Sequence, residues 1–174
     1  MPFVVHSRTE GVRRLIEITH ASAATDAVRE LVGELDQVLA AEYPPEQRHG
    51  LSLDAIFQPH IRFFIARMNG DLAGCAGLAL LSDFAEVKRM YVREGARGRG
   101  LAQALLRRIE QEALGAGLPI LRLETGERQH AAMRLYEGAG FRRCGPFGSY
   151  AAMPSKAIAT SVFYEKLLIG PGDR

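Results

Sequence analysis

Residues 84–124 constrain the fold most, because a strand, a glycine loop, an amphipathic helix and an apolar strand follow one another there without a break. The stretch "FAEVKRMYV" (84–92) alternates as a strand does, which puts Glu86, Lys88, Met90 and Val92 on one side. After the loop, Leu101, Ala102, Leu105, Leu106 and Ile109 share one helical face, and Arg107, Arg108, Glu110 and Gln111 another. Such a helix must lie on a sheet. Gly115 and Gly117 stop it, and "LPILRLE" (118–124) is the nearly continuous apolar run of a strand covered on both faces. Two strands joined through a helix in this way form a right-handed parallel unit.

The flanking segments add an antiparallel half. "VRRLIEI" (12–18) reads as a first strand. The helix after it has Thr25 or Asp26 as cap, Val28, Leu31, Val32, Leu35 and Leu39 on its apolar face, and Pro44 and Pro45 as its stop. Residues 46–60 are mixed, with a short helix expected around 52–57. Asn69-Gly70 between two apolar runs is a strong hairpin signal, so the strands on either side of it pair antiparallel. Downstream, "ERQHAAMRLYEGAGF" (127–141) is a helix with Ala131 and Leu135 stacked and Gly138 and Gly140 at its end. "FRRC" and "ATSVFYEKLL" supply two last strands, and 169–174 should fray. The expectation is one α/β (α+β) domain over 1–174, with its core at about 11–168 and a mixed sheet of about seven strands flanked by about four helices.

Composition excludes more than it assigns. The net charge of +2 makes no case for a nucleic-acid or membrane partner, although Arg supplies 19 of the 22 basic residues. Cys75 and Cys144 lie in apolar, strand-like stretches and read as buried thiols. Five histidines and two cysteines show no metal-ligand spacing, so no metal is expected. The start of the chain lacks a basic head followed by a long apolar run, and no apolar stretch is long enough to span a bilayer, which makes cytoplasmic residence the expectation.

The loop "RGRG" (97–100) is suited to an anion. Gly98 and Gly100 let the backbone turn close to a ligand, the first N–H groups of the helix lack intrahelical partners, and Arg97 and Arg99 add charge. A loop that only connects strand to helix is the plain alternative. No Gly-Lys-Ser/Thr follows, which excludes a Walker loop. A dinucleotide fingerprint has its first two glycines and an acid at Glu124, but Gln103 stands where the third glycine belongs and the loop follows an antiparallel meander.

"RGRGLA" also fits the Q/R-x-x-G-x-G/A signature of the GCN5-related N-acetyltransferase (GNAT) superfamily, with Arg97, Gly100 and Ala102 on its fixed positions. Joined to "LYEGAGF", and with the element order matching over about residues 11–168, the chain closely resembles that superfamily, within it a bacterial branch of small acetyltransferases.

The resemblance implies acetyl-coenzyme A as cosubstrate. Its pyrophosphate would lie on Arg97, Gly98, Arg99, Gly100, Leu101 and Ala102, and its pantetheine arm on the backbone of Met90, Tyr91 and Val92, between two splayed strands. Gln129 stands where many relatives carry Asn. The resemblance further implies Tyr136 as the acid for the departing thiolate, Glu86 as a base, and a backbone N–H near Tyr91 for the oxyanion. A glutamate paired with Arg for structural reasons is the alternative for Glu86. The acceptor would be shaped by two loops carrying Tyr43, His60, Arg62 and Tyr150, with His49, Phe147 and Lys156 nearby. His49, His60 and His130 are surface or packing residues on the plainer reading. The expected partner is a small-molecule amine, with an amino acid or derivative suited to an aromatic and cationic lining, and the protein itself a monomer or homodimer. A coenzyme-binding sensor without turnover, an acetylase of protein or peptide amines, and a nucleotide-binding module are the alternatives.

Overall fold

The computed structural model describes residues 2–9 and 12–168, so the tail expected to fray at 169–174 lies outside the described residues. One mixed sheet organises the chain in the order β1-β2-β3-β4-β5-β6-β8-β7. Its strands are β1 (Phe3–Thr9), β2 (Val12–Ala21), β3 (Ile61–Met68), β4 (Asp71–Leu80), β5 (Ala85–Val92), β6 (Ile120–Gly126), β7 (Arg142–Cys144) and β8 (Ser161–Leu167). Only β5 and β6 run parallel. The helices are α1 (Asp26–Glu42), α2 (Leu101–Gly115) and α3 (His130–Gly138).

Two counts differ from the expectation. The sheet has eight strands, because Phe3–Thr9 adds an edge strand paired antiparallel with β2. The described residues hold three α-helices, and the helix expected near 52–57 is a single 3-10 turn, Ala55–Phe57. The Asn69-Gly70 hairpin is present, with both residues at positive φ as a two-residue turn of this kind requires. Asn69 also reaches back to β2, its side-chain oxygen accepting from the Leu15 N–H at 3.0 Å.

α1 covers one face of the sheet through Val28, Leu31 and Val32, which pack on Phe63 and Cys75. α2 and α3 cover the other, where Leu101, Leu105 and Ile109 meet Ile18, Phe64 and Leu121. Each of these side chains, removed from water, contributes about 1.5–3 kcal/mol. On α2 the fully buried alanines are Ala104 and Ala113, while Ala102 stays at the rim. On β6, Leu121 and Leu123 face the α2 core, while on the other side Ile120 packs on the Phe84 and Phe147 cluster and Arg122 pairs with Glu165 at 2.6 Å and lies over the Phe84 ring at 4.6 Å.

A bulge in β5 breaks the alternation expected of residues 84–92. Lys88 pairs with Gly77 and Tyr91 with Cys75, so Arg89 and Met90 together oppose the single residue Ala76. Arg89 takes the left-handed conformation at φ 53, which costs a side-chain-bearing residue about 1–2 kcal/mol. Its buried guanidinium offsets this by pairing with Asp36 of α1 and donating to the Leu51 carbonyl at 2.7 Å. Beyond the bulge Gly74 pairs with Val92, and a Cβ there would lie 2.5 Å from the Tyr91 carbonyl oxygen. Past the bulge, Met90 and Val92 join Ala85 and Val87 on the α2 face. Glu86 and Lys88 therefore do not share a side with them, and that expectation is corrected.

Candidate active site

The parallel pairing of β5 with β6 covers Ala85 to Val87 and ends at the Val87–Leu123 rung. Beyond it the strands diverge, and the β6-facing backbone edge of 88–92 has no strand partner. The gap admits residues from both layers. A cavity of about 440 Å³ is lined by Leu35 and Val38 of α1, the β5 segment Met90–Val92, the loop and start of α2, and Ala131 and Leu135 of α3.

This larger cavity gathers most of the residues expected to hold the coenzyme: Met90, Tyr91, Val92, Arg97, Gly98, Gly100, Leu101, Ala102 and Gln129. Arg99 is not among its lining residues. Gly98 and Gly100 stand at φ 69 and 84, which side-chain-bearing residues rarely adopt, and Gly100 caps α2. The first helical bond there runs from the Ala104 N–H to the Gly100 carbonyl, leaving the N–H groups of Leu101 to Gln103 directed out of the helix end. Such a cradle suits a phosphate group. Gln129 lines the cavity while its amide donates to the Glu42 carboxylate.

A second cavity, of about 120 Å³, adjoins the first, and Leu35, Met90, Gln129, Ala132 and Tyr136 line both. Tyr136 thus sits at the junction. Its side chain is 6% exposed, its hydroxyl lies 3.6 Å from Met90 Sδ, and burial, with the nearby Glu124 charge, raises its pKa. The phenol stays protonated at neutral pH, as a proton donor must.

Glu124, which sequence reasoning weighed only for a ribose, lines the smaller cavity. Its pKa is raised, chiefly by burial; the bond from Ser161 Oγ at 2.6 Å, His49 and Lys88 oppose the rise, and Glu86 adds to it. The signal available in the sequence was a carboxylate ending the strand that faces the diverging edge of β5.

Glu86 lies elsewhere. Its side chain is buried at 7% exposure and lines neither cavity. Its Oε1 accepts from Lys88 Nζ at 3.0 Å and from the Tyr150 hydroxyl at 2.8 Å, while Lys88 also donates to the Tyr150 oxygen at 2.7 Å. Burial and two carboxylates raise the Tyr150 pKa, which keeps the phenol a donor. The partner of Glu86 is a lysine, where the alternative reading named an arginine.

The residues expected to meet the acceptor divide. Tyr43 lines the smaller cavity and its hydroxyl accepts from the Arg128 N–H at 2.9 Å. Tyr150 stands behind Lys88 and lines neither cavity. His60 is exposed, and Arg62 pairs with Glu112 of α2 on the opposite face of the sheet; neither lines a cavity. His49 and Arg48 do line the smaller one, and His130 is exposed at the start of α3. Among the described residues no group of three or more His, Cys, Asp or Glu is placed to hold a metal ion, and no helix is long and apolar enough to cross a membrane.

Three comparisons bear on this geometry. The model of the acetyltransferase (GNAT) family matches residues 25–141. An Azospirillum brasilense protein described as an IAA acetyltransferase is 43% identical over 155 residues, 88% of this chain and 98% of the relative. The Bacillus subtilis (strain 168) uncharacterised N-acetyltransferase YsnE is 35% identical over 133 residues, 75% of this chain and 88% of its own. Among solved structures, the PaiA N-acetyltransferase of Thermoplasma acidophilum in complex with coenzyme A superposes with a TM-score of 0.68 over 87% of this chain and 98% of that one, at 19% identity. That last likeness is one of fold.

Proposed function

The chain belongs to the acetyltransferase (GNAT) family, and we propose that it transfers the acetyl group of acetyl-coenzyme A directly to a primary amine of a small molecule. One observation carries the reading: the gap beyond the Val87–Leu123 rung joins the Gly98–Gly100 cradle to a second, smaller cavity, with Tyr136 at the junction. A pyrophosphate on the cradle and a pantetheine arm along the free edge of β5 bring a thioester to that junction. A small acceptor suits a cavity well below the ~300 Å³ at which drug-sized pockets begin.

In this reading the amine lone pair attacks the thioester carbonyl, and an N–H on the free edge of β5 meets the negative oxygen. As the C–N bond forms, the surplus proton on nitrogen passes to Glu124, whose raised pKa suits a base at neutral pH. As the C–S bond breaks, the Tyr136 hydroxyl donates its proton to the leaving thiolate. Glu86 reaches the cavity only through Lys88 and acts as a positioning residue.

Ligand-dependent thermal stability tests the binding half of this reading. At 100 times its dissociation constant, a ligand that binds only the native state adds about 2.7 kcal/mol, several degrees in Tm. A rise with acetyl-coenzyme A, absent with NAD and ATP, is expected; no rise, or one with NAD or ATP alone, contradicts it.

A further inference from the structure

Arg48 lines the smaller cavity, and among the described residues no anion pairs with it. It follows the 3-10 turn Pro45–Gln47 and is absent from the lining of the larger cavity. Its Nε is sealed from solvent and has no hydrogen-bond partner. The other two cations of the lining are engaged, Lys88 by Glu86 and Arg89 by Asp36. Arg48 is thus left, among the described cations of this lining, to meet an anion that a ligand supplies.

The segment around Arg48 is held in place from both sides. Gln47 accepts from Thr160 Oγ1 at 3.1 Å, and His49 Nε2 donates to the Ala157 carbonyl at 2.9 Å. These bonds fasten residues 47–49 to the stretch that leads into β8, so the backbone that carries Arg48 is fixed before any ligand arrives. The terminal N–H groups of a guanidinium present a planar fork matched to a carboxylate.

Resting on the reading of the two cavities as coenzyme and amine sites, we propose that the acceptor amine carries a carboxylate and that Arg48 binds it. The coenzyme's own phosphates do not compete for this role, because their cradle lies in the other cavity. With the carboxylate on Arg48 and the amine toward Glu124 and Tyr136, one small amino acid or derivative spans the cavity. The same site selects against amides and decarboxylated amines, which leave the Arg48 charge unmet.

The test reads the Arg48 guanidinium itself. The ¹⁵Nε–¹H resonance of Arg48, assigned by its loss in Arg48→Lys, is followed while the protein is titrated with the proteinogenic amino acids and then with their carboxamides, with and without coenzyme A. One or more amino acids should move it saturably and their carboxamides should not. In parallel, calorimetry follows acetyl-coenzyme A binding, and thiol release gives kcat/KM for each acid and amide. Arg48→Met should lower the acid-to-amide ratio roughly 10- to 100-fold and, having removed an unpaired buried donor, should melt no lower than wild type. Coenzyme binding with no movement of the Arg48 resonance, or an acid-to-amide ratio unchanged in Arg48→Met, overturns the proposal. Movement by amino acids without coenzyme binding leaves it standing and overturns the acetyl-transfer reading instead.

Discussion

Val87 lies opposite Leu123, and no rung of the β5–β6 ladder follows it. Everything assigned to the site depends on that divergence. It frees an edge of β5 and lets α1 and α3 line one cavity from opposite faces of the sheet. It also leaves Glu124, one residue past the last rung, facing the smaller cavity.

Gly126 closes that cavity against Tyr43. A Cβ at this position would come within 2.2 Å of the Tyr43 hydroxyl and 2.3 Å of its ring carbon Cζ. Tyr43 is buried and bonded to the Arg128 N–H, so it cannot simply swing aside. Gly126→Ala should cost about 1–3 kcal/mol and raise the KM of the acceptor more than that of acetyl-coenzyme A. An unchanged denaturation midpoint would contradict the packing described.

Tyr136→Phe separates chemistry from binding. Among the described residues the hydroxyl's partner is Met90 Sδ, a weak acceptor at 3.6 Å, so its removal should change stability little. Loss of the proton donor should lower kcat by at least about 10-fold with coenzyme affinity retained. Equal kcat in the variant would remove Tyr136 from the mechanism.

The two glutamates should respond differently to substitution. Burial raises the Glu124 pKa, so the acid limb of kcat/KM should lie above the ordinary glutamate range, and Glu124→Gln should abolish that limb along with most of the rate. The sign for stability follows from the same shift. Below the unfolded-state pKa both forms of the carboxyl are protonated and nothing is lost; as pH rises through the folded-state pKa the buried charge opposes folding. Glu124→Gln should therefore be at least as stable as wild type at neutral pH. Glu86→Gln instead leaves part-buried Lys88 without its counter-charge and should lose on the order of 3 kcal/mol while the acid limb survives. Stability and pH–rate profiles of both variants check this.

Cys75 bears on direct transfer. Burial pushes its thiol up to about 12, and the Sγ donates to the Arg89 carbonyl at 3.4 Å. At pH 8 the native protein should resist iodoacetamide at Cys75, and Cys75→Ala should retain acetyl transfer. An acetylated Cys75 peptide recovered during turnover would contradict the direct route.

The parts of the fold that were legible in the sequence are those fixed by local chemistry. Asn69-Gly70 and Gly98 with Gly100 announce positive φ through residue type, and the structure places them so. The resemblance drew attention to Tyr136 because its helix carries a distinct motif. Arg89 announces nothing: a side-chain-bearing residue at positive φ is held there by Asp36 and Leu51, both remote in sequence. That one bulge separates Glu86 from the side of Met90 and Val92, so the alternation gave Glu86 the wrong face. Glu124 and Arg48 were illegible for a related reason, since each owes its place to where two strands part and how a loop is fastened. Among the described side chains of the edge strand β1, Phe3 and Val5 pack inward, too short an apolar pattern to stand out.

The most direct test of acetyl transfer at the gap is thiol release from acetyl-coenzyme A, measured with and without a panel of primary amines and matched to the mass of the N-acetyl product. The account predicts one coenzyme A thiol for each acetylated amine, with release that depends on the amine and falls in Tyr136→Phe. Tight binding of acetyl-coenzyme A with no amine-dependent release from any member of the panel would contradict it.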